Sequence, residues 1–193
     1  GGDMNKDEVI KDAIKDAAKR VFSKWGLNKT TMEDIAHKAG KGKSTLYYYF
    51  KSKEEIFENV AIDELTSISE KAKAAIDGIA SPKDKLKKYI AVTLTEIKKA
   101  VTIYSLIRGE IKGNKEFIDN IHKRIDKKEE NIIREILKLG FKSNEFNFLK
   151  ESELDKAANV IVLMIRGLEL QLILENDDSE KMDIAIRFLV EGL

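Results

Sequence analysis

Proline, the residue that most often interrupts a helix, occurs only once in this chain of 193 residues, at Pro82. Apolar residues recur at intervals of three and four along nearly all of the remainder, as they do on the buried face of a helix. No stretch alternates between apolar and polar residues as a strand would. The sequence therefore predicts an all-α fold, and its 42% of hydrophobic residues can fill a packed core.

Capping residues divide this apolar pattern into about nine helices. Thr31 with Asp34, and Ser52 with Glu55, form side-chain capping pairs, and Ser81 stands before a proline at a first helical position. Glycines after residues 25 and 139 are expected to end two of the helices. The helices are predicted at residues 6–25, 32–39, 43–49, 53–77, 82–101, 115–139, 152–175 and 179–191, with a segment near 102–111 that either continues the fifth helix or breaks from it.

Charge is distributed unevenly along the chain, although the net charge is only +1. Residues 1–53 hold 12 basic and 7 acidic side chains, whereas the remainder holds 23 basic and 27 acidic ones. A basic end on an acidic remainder is typical of a protein that faces nucleic acid at that end, although solvated lysines are common on any surface. The charge pattern is consistent with DNA binding by the first quarter of the chain.

Several kinds of site are missing from the sequence. The chain contains no cysteine, which excludes disulfides, thiolate metal sites and cysteine nucleophiles. Asp119 and His122 have the spacing of half a carboxylate-bridged metal site, but the only other histidine is His37, so the second half is missing. The sequence shows no group of residues typical of an activated nucleophile, a metal site or a cofactor-binding loop. We therefore expect neither an enzyme nor a cofactor. No N-terminal signal segment stands out, so we expect a cytoplasmic protein.

The first three predicted helices, of about 20, 8 and 7 residues, have the layout of a helix-turn-helix unit. Ala36 and Ala39 are small enough for two helices to cross closely, and Gly40 supplies the backbone freedom that the turn requires. The second short helix of such a unit lies in the major groove of DNA. We therefore predict a DNA-binding domain at residues 1–52, followed by a larger helical domain at residues 53–193.

The predicted helix at 43–49 has a surface suited to DNA. Its first three residues are a lysine, a serine and a threonine, which can donate hydrogen bonds to base edges or phosphates. Residues 47–49 are three successive tyrosines, and steps of about 100° around the helix prevent all three from being buried together. Lys53 then stands at a helix start, where backbone N–H groups also favour a phosphate.

Three runs of residues resemble, in order and spacing, the helix-turn-helix region of the TetR family of repressors. The runs are Thr30-Thr31-Met32-Glu33-Asp34-Ile35-Ala36, then Ala39-Gly40, then Thr45-Leu46-Tyr47-Tyr48-Tyr49-Phe50-Lys51-Ser52-Lys53-Glu54-Glu55-Ile56-Phe57. The resemblance spans about residues 10–60. It implies a homodimer that binds a palindromic double-stranded DNA operator, and a C-terminal domain in which an unknown small-molecule effector triggers release.

The resemblance also implies roles for individual residues of the N-terminal domain. It assigns three residues to DNA phosphates: Thr31, Tyr47 and Lys53. It assigns four residues to the groove of the DNA: Lys43, Ser44, Thr45 and Tyr48. It places Tyr49 at the edge of the groove.

The chain departs from the usual family pattern at the start of the recognition helix. Lys41-Gly42 stands where an apolar residue and a serine are usual, so a capping serine is lost and Lys41 adds a candidate phosphate contact. Glycine caps a helix almost as well as serine, to within a few tenths of a kcal/mol. Ser44 stands where glycine is usual, so the base preference of relatives does not carry over.

The stretch from Ala157 to Leu174 is nearly all apolar. Arg166, Glu169 and Gln171 interrupt it, which disfavours a membrane span. A helix that is apolar on nearly all sides must be buried on all sides, against its own domain and against a partner chain. We therefore predict a homodimer through residues 152–175 and 179–191, as in a four-helix interface.

The ligand pocket is the least defined part of the sequence. Candidate pocket residues among apolar neighbours are Tyr104, Arg108 and Met164. Arg166 is either the counter-charge for an acidic ligand or the partner of an interface or core acid. A DNA-binding regulator is the favoured function. An all-helical enzyme or small-molecule-binding protein, and an adaptor whose helix-turn-helix reads no DNA, are the alternatives.

Overall fold

The computed structural model describes residues 5–100, 115–147, 149–174 and 179–192. Every regular element in these residues is helical, as predicted. The segment 102–111, with the candidate pocket residues Tyr104 and Arg108, lies outside the described residues, as do the side chains of Asp119 and His122. The described α-helices are α1 (Lys6–Lys29), α2 (Met32–Ala39), α3 (Lys43–Tyr49), α4 (Lys53–Ala74), α5 (Pro82–Lys99), α6 (Lys115–Lys142), α7 (Leu154–Leu174) and α8 (Ser179–Glu191).

Helix α1 continues past its predicted end at residue 25 and reaches Lys29. Gly26 has φ 79° and ψ 170°, a backbone that glycine adopts far more readily than other residues, and the helix kinks there. One further turn follows and ends at Thr30, whose hydroxyl donates to the Gly26 carbonyl at 2.6 Å. The glycine therefore redirects the chain toward α2 before the helix ends.

Helix α6 likewise continues through its predicted stop at Gly140, to Lys142. The buried ring of Phe146 folds back onto this glycine, and a Cβ at position 140 would lie 2.0 Å from Phe146 Cδ2. The chain reverses instead at Asn144, which has φ 61°. The N–H groups of Glu145 and Phe146 donate to the Gly140 carbonyl. Gly140 is thus required for close packing and does not end the helix.

Among the described residues, one compact unit comprises residues 5–64 and 115–121, and the other comprises residues 65–100 and 122–192, so the chain passes between them inside α4. The first turns of α4 belong to the N-terminal core, and the predicted domain boundary at residues 52–53 stays a prediction. Phe22 of α1 and Phe57 of α4 meet edge to face, with ring centroids 5.3 Å apart. The other buried residues of this core come from α1 to α4: Ile14, Ala18, Leu27, Met32, Ile35, Ala36, Leu46, Phe50, Ile56 and Val60.

The second unit is a helical bundle in which α5 packs against α7 and α8. Tyr89 and Ile90 of α5, Ile133 of α6 and Ile165 of α7 are completely buried in its core. Although α7 is strongly apolar, none of the helices within the described ranges has both the length and the hydropathy that a bilayer crossing requires.

Candidate DNA-binding unit

The N-terminus of α2 is fixed by the predicted capping pair. The Thr31 hydroxyl accepts from the Asp34 N–H at 3.2 Å, and the Asp34 carboxylate accepts from the Thr31 N–H at 2.9 Å. The Thr31 hydroxyl also donates to Asp34 Oδ2 at 2.6 Å, and these hydrogen bonds lower the pKa of Asp34. Thr31 is exposed, so this cap holds a hydroxyl and a helix N-terminus at the surface.

Gly40 makes the turn between α2 and α3 possible. It has φ 62°, and its N–H donates to the carbonyls of Ala36 and His37. The Lys41 N–H adds a hydrogen bond of 3.0 Å to the Ala36 carbonyl, which completes the end of α2. Gly42 then caps α3 without a side-chain hydrogen bond. Backbone interactions therefore form a tight turn between two short helices, as predicted for a helix-turn-helix.

One face of α3 fixes the helix to the core and the other is open to solvent. Leu46 is completely buried and Phe50 is 5% exposed, whereas Tyr47 is 49% exposed and Tyr48 is 77% exposed. The prediction that the three tyrosines are not buried together is confirmed. Three further polar residues that are predicted to contact DNA are exposed: Lys41, Lys43 and Ser44. Thr45, also a predicted contact, is half-buried.

Tyr49 packs against the exposed Tyr48. Its ring meets the Tyr48 ring edge to face, with centroids 4.9 Å apart. Its hydroxyl donates to the Asp7 carboxylate at 2.7 Å, and this hydrogen bond raises the pKa of Tyr49 to about 12. The half-buried Tyr49 hydroxyl is therefore directed at α1. Its predicted place at the edge of the groove stays a prediction.

The lysines of this unit differ in how firmly they are held. Lys43 Nζ lies 3.6 Å from the exposed Glu33 carboxylate, a solvent-exposed pair of the kind that contributes little and is easily exchanged. Lys53 Nζ instead donates to the carbonyls of Leu27, Asn28 and Thr30 at 2.8, 3.1 and 2.9 Å. The Lys53 ammonium therefore already has protein acceptors, and its predicted contact with phosphate stays a prediction.

In the second unit, Arg166 lies inside the bundle among carboxylates. Its guanidinium donates to Asp126 at 2.9 and 3.0 Å, to Glu169 at 2.5 Å, and also to Glu129. The interpretation of Arg166 as the partner of a core acid is therefore confirmed. A role as counter-charge for an acidic ligand is disfavoured, since three carboxylates already surround this cation.

Further polar groups that the sequence reasoning missed are buried in the same bundle. Ser69 Oγ and the Tyr89 hydroxyl lie 3.3 Å apart, and the completely buried Thr93 hydroxyl has no hydrogen-bond partner within the described part of the chain. Burial raises the pKa of Glu129 to about 7, and it also raises the pKa of Glu169. A signal was present in the sequence, because Glu129 stands four residues after Ile125 in an otherwise apolar stripe.

Met164, the other predicted pocket residue within the described part of the chain, lies on a different face of α7 from Arg166. It is 50% exposed and lines a shallow groove between α7 and α8 with Phe188, Gly167 and Leu168. The structure therefore does not bring Met164 and Arg166 together in one site. Phe188 on α8 is 78% exposed. Leu163, the residue before Met164 on α7, is 59% exposed.

Comparisons with known proteins agree with this geometry. The family model of bacterial regulatory proteins of the tetR family matches residues 14–60. The chain is 37% identical over 76 residues to the repressor KstR2 of Mycolicibacterium smegmatis, covering 39% of this chain and 37% of KstR2. It is also 37% identical over 67 residues to the HTH-type regulator YhgD of Bacillus subtilis, covering 35% of each chain. These matches span little more than a third of the length of either curated relative.

A solved structure resembles the chain over almost its whole length. The transcriptional regulator FadR of Bacillus subtilis, in complex with stearoyl-CoA, is 25% identical, with a TM-score of 0.72, covering 94% of this chain and 98% of FadR. The helical second unit thus has the fold of a known regulator, and the proteins compared are regulators rather than enzymes. Through its N-terminal unit, at residues 14–60, the chain therefore matches the family model of tetR-type bacterial regulatory proteins.

Proposed function

We propose that this chain is a transcriptional repressor that binds double-stranded DNA through α3 and acts in the cytoplasm. The main support for the proposal is that α3 has one buried face and one exposed face. Leu46 fixes one face in the core, and the other face presents Tyr48, 77% exposed, together with the exposed Lys43, whose ammonium lies 3.6 Å from the exposed carboxylate of Glu33. A helix of this kind after a tight turn enters the major groove and places its first residues on base edges.

The proposed contacts fall into two classes. Side chains before α3 and on its flank contact the DNA backbone, where they fix register and contribute a salt-dependent affinity. Side chains at the start of α3 read base edges or thymine methyl groups. The proposed backbone contacts are Thr31, Lys41 and Tyr47, and the proposed groove contacts are Lys43, Ser44, Thr45 and Tyr48, with Tyr49 at the edge.

Titration of DNA at several salt concentrations tests this function. The preferred DNA is first selected from a random pool, and affinity is then measured by fluorescence anisotropy. We expect affinity to fall steeply with salt, and Lys41→Ala to lower the log–log slope by about 0.9 for each lost phosphate contact. Lys142→Ala, a change at an exposed lysine of the second unit, is the matched control and leaves the slope unchanged.

Changes at the start of α3 should behave differently from changes at backbone contacts. Thr45→Val alters which base is preferred at one position of each half-site, at a cost of about 1–3 kcal/mol for the best site. Undetectable or salt-insensitive binding to every DNA in the pool would reject the repressor. It would leave an all-helical small-molecule-binding protein, or an adaptor, in its place.

We also propose that two copies pair through α7 and α8, within residues 152–175 and 179–191. Large apolar side chains on these helices are exposed to an extent that a monomer rarely tolerates. They are Val160, Leu163, Met164, Ile184 and Phe188. Pairing about a two-fold axis covers this face and gives two recognition helices for a palindromic operator, with half-sites about 34–36 Å apart.

The second unit is proposed to bind a small-molecule effector that weakens DNA binding. Helix α4 contributes residues to both compact units, so a ligand that favours one position of α4 can alter the DNA-binding unit. A coupling free energy of about 1–3 kcal/mol corresponds to a loss of roughly 5- to 150-fold in DNA affinity. Stearoyl-CoA, the ligand of the FadR structure, is the first compound to test in the anisotropy assay.

A further inference from the structure

The side chain of Lys53 reaches back to the end of α1. Its ammonium donates to the carbonyl oxygens of Leu27, Asn28 and Thr30, at distances of 2.8, 3.1 and 2.9 Å. An ammonium group has three N–H donors, so these three carbonyls use all of them. The ammonium is therefore occupied by the protein itself, although Lys53 lies at the start of α4, where a phosphate contact was predicted.

These carbonyls are the groups that the end of α1 leaves without helical partners. The last carbonyls of any helix need a cap, and they carry the negative end of the helix dipole. At the kink, the Gly26 carbonyl accepts from the Thr30 hydroxyl at 2.6 Å. The Lys53 ammonium supplies donors and a positive charge to the carbonyls of Leu27, Asn28 and Thr30.

The capped junction leads directly into the proposed backbone contact of α2. Thr30 is completely buried, and Thr31 follows it as the exposed N-cap residue. The carbonyl of Thr30 belongs to the same peptide group as the Thr31 N–H. A hydrogen bond to that carbonyl therefore fixes the peptide plane from which Thr31 and the first turn of α2 project.

We propose that Lys53 is a positioning residue for DNA binding, which holds Thr31 and the N-terminus of α2 against the DNA backbone without itself touching DNA. The proposal rests on the proposed DNA-binding function. It assigns Lys53 a task distinct from that of Lys41 and Lys43, whose ammonium groups remain available to DNA. It also ties the start of α4 to the junction between α1 and α2 within the N-terminal unit.

The test uses operators that carry one uncharged methylphosphonate at a time, together with salt titrations. The wild-type protein loses affinity when the phosphate contacted by Thr31 is replaced by methylphosphonate. Thr31→Val lacks the hydroxyl, so replacing that same phosphate no longer lowers its affinity, and this identifies the phosphate. We expect Lys53→Met to lose about tenfold in DNA affinity and to become insensitive at the same phosphate as Thr31→Val. Its salt slope stays at the wild-type value.

Lys53→Arg should restore the wild-type pattern, because a guanidinium also donates to several carbonyls. If Lys53→Met does not fold, Lys53→Gln, which retains two N–H donors, takes its place. A salt slope lowered by about 0.9 per contact, with insensitivity at a different phosphate, would show direct contact with DNA and overturn the proposal. So would a variant that is less stable but binds every operator as wild type does. Failure of the wild-type protein to bind DNA would instead reject the proposed function.

Discussion

At Arg166, one guanidinium is surrounded by three carboxylates in the interior of the second unit. Glu129 is 2% exposed and Glu169 is 3% exposed, so water can stabilise neither charge fully. One cation cannot neutralise three anions, and burial of the excess negative charge is costly unless a carboxyl takes up a proton. The raised pKa of Glu129, to about 7, is the consequence of this burial.

The stability of the second unit should depend on pH through Glu129. Its pKa is about 7 in the folded protein against 4.5 ordinarily, so the folded state binds the proton more tightly. The free energy of unfolding therefore decreases as pH rises from about 4.5 to about 7, by about 3 kcal/mol in total. Glu129→Gln, which cannot titrate, should gain that much relative to wild type over this range. Urea unfolding at several pH values measures both, and parallel curves for the two proteins would contradict the prediction.

A second prediction at the residue scale concerns Tyr48. Because its side chain is 77% exposed, Tyr48→Ala should leave the free energy of unfolding within about 0.5 kcal/mol of wild type. If the ring covers DNA sugar or a thymine methyl group, DNA affinity should fall by about 1–2 kcal/mol. Anisotropy and thermal unfolding give the two numbers separately. An unchanged affinity would remove Tyr48 from the proposed contacts.

At the scale of the helices, boundaries that depend on neighbouring residues were predicted better than boundaries that depend on residues more distant in sequence. The Thr31–Asp34 cap and the left-handed Gly40 depend on neighbouring residues alone, and both were predicted correctly. The ends of α1 and α6 depend on partners more distant in sequence: Lys53 caps α1, and Phe146 packs on Gly140. The acids around Arg166 were missed for the same reason, since Asp126 and Glu129 stand about forty residues earlier. Sequence periodicity does not report such contacts.

The close packing at the end of α6 gives a prediction about Gly140. A methyl group there would meet the Phe146 ring at 2.0 Å, and the ring is completely buried. Gly140→Ala should therefore destabilise the protein by about 1–3 kcal/mol, although alanine is otherwise the better helix former. Adding Phe146→Leu should recover part of the loss, because the smaller side chain makes room. A Gly140→Ala protein as stable as wild type in urea would disprove this account.

At the scale of the whole molecule, the exposed apolar face of α7 and α8 predicts an effect of charge on assembly. Phe188→Glu, at the most exposed large apolar side chain of the described residues, should convert the proposed dimer to a monomer. The helices themselves should remain folded, because Phe188 contributes little to the core of its own chain. Sedimentation velocity reports the assembly and circular dichroism the fold.

The same variant tests whether DNA binding needs two copies. A monomer contacts only one half-site, so Phe188→Glu should bind the operator at least tenfold more weakly than wild type. Lys142→Ala, an exposed change on α6 outside the proposed interface, is the control and should bind as wild type does. A wild-type protein that sediments as a monomer would contradict the proposed interface directly.

The residues of each hydrophobic core come from one unit alone, those of the first from residues 14–60 and those of the second from residues 72–190. A substitution that loosens one core therefore needs no compensating substitution in the other. Over evolutionary time, such an arrangement allows the proposed DNA-binding unit to be kept while the second unit changes to bind a different effector. The family model, which matches residues 14–60 and ends there, follows the limits of the first core.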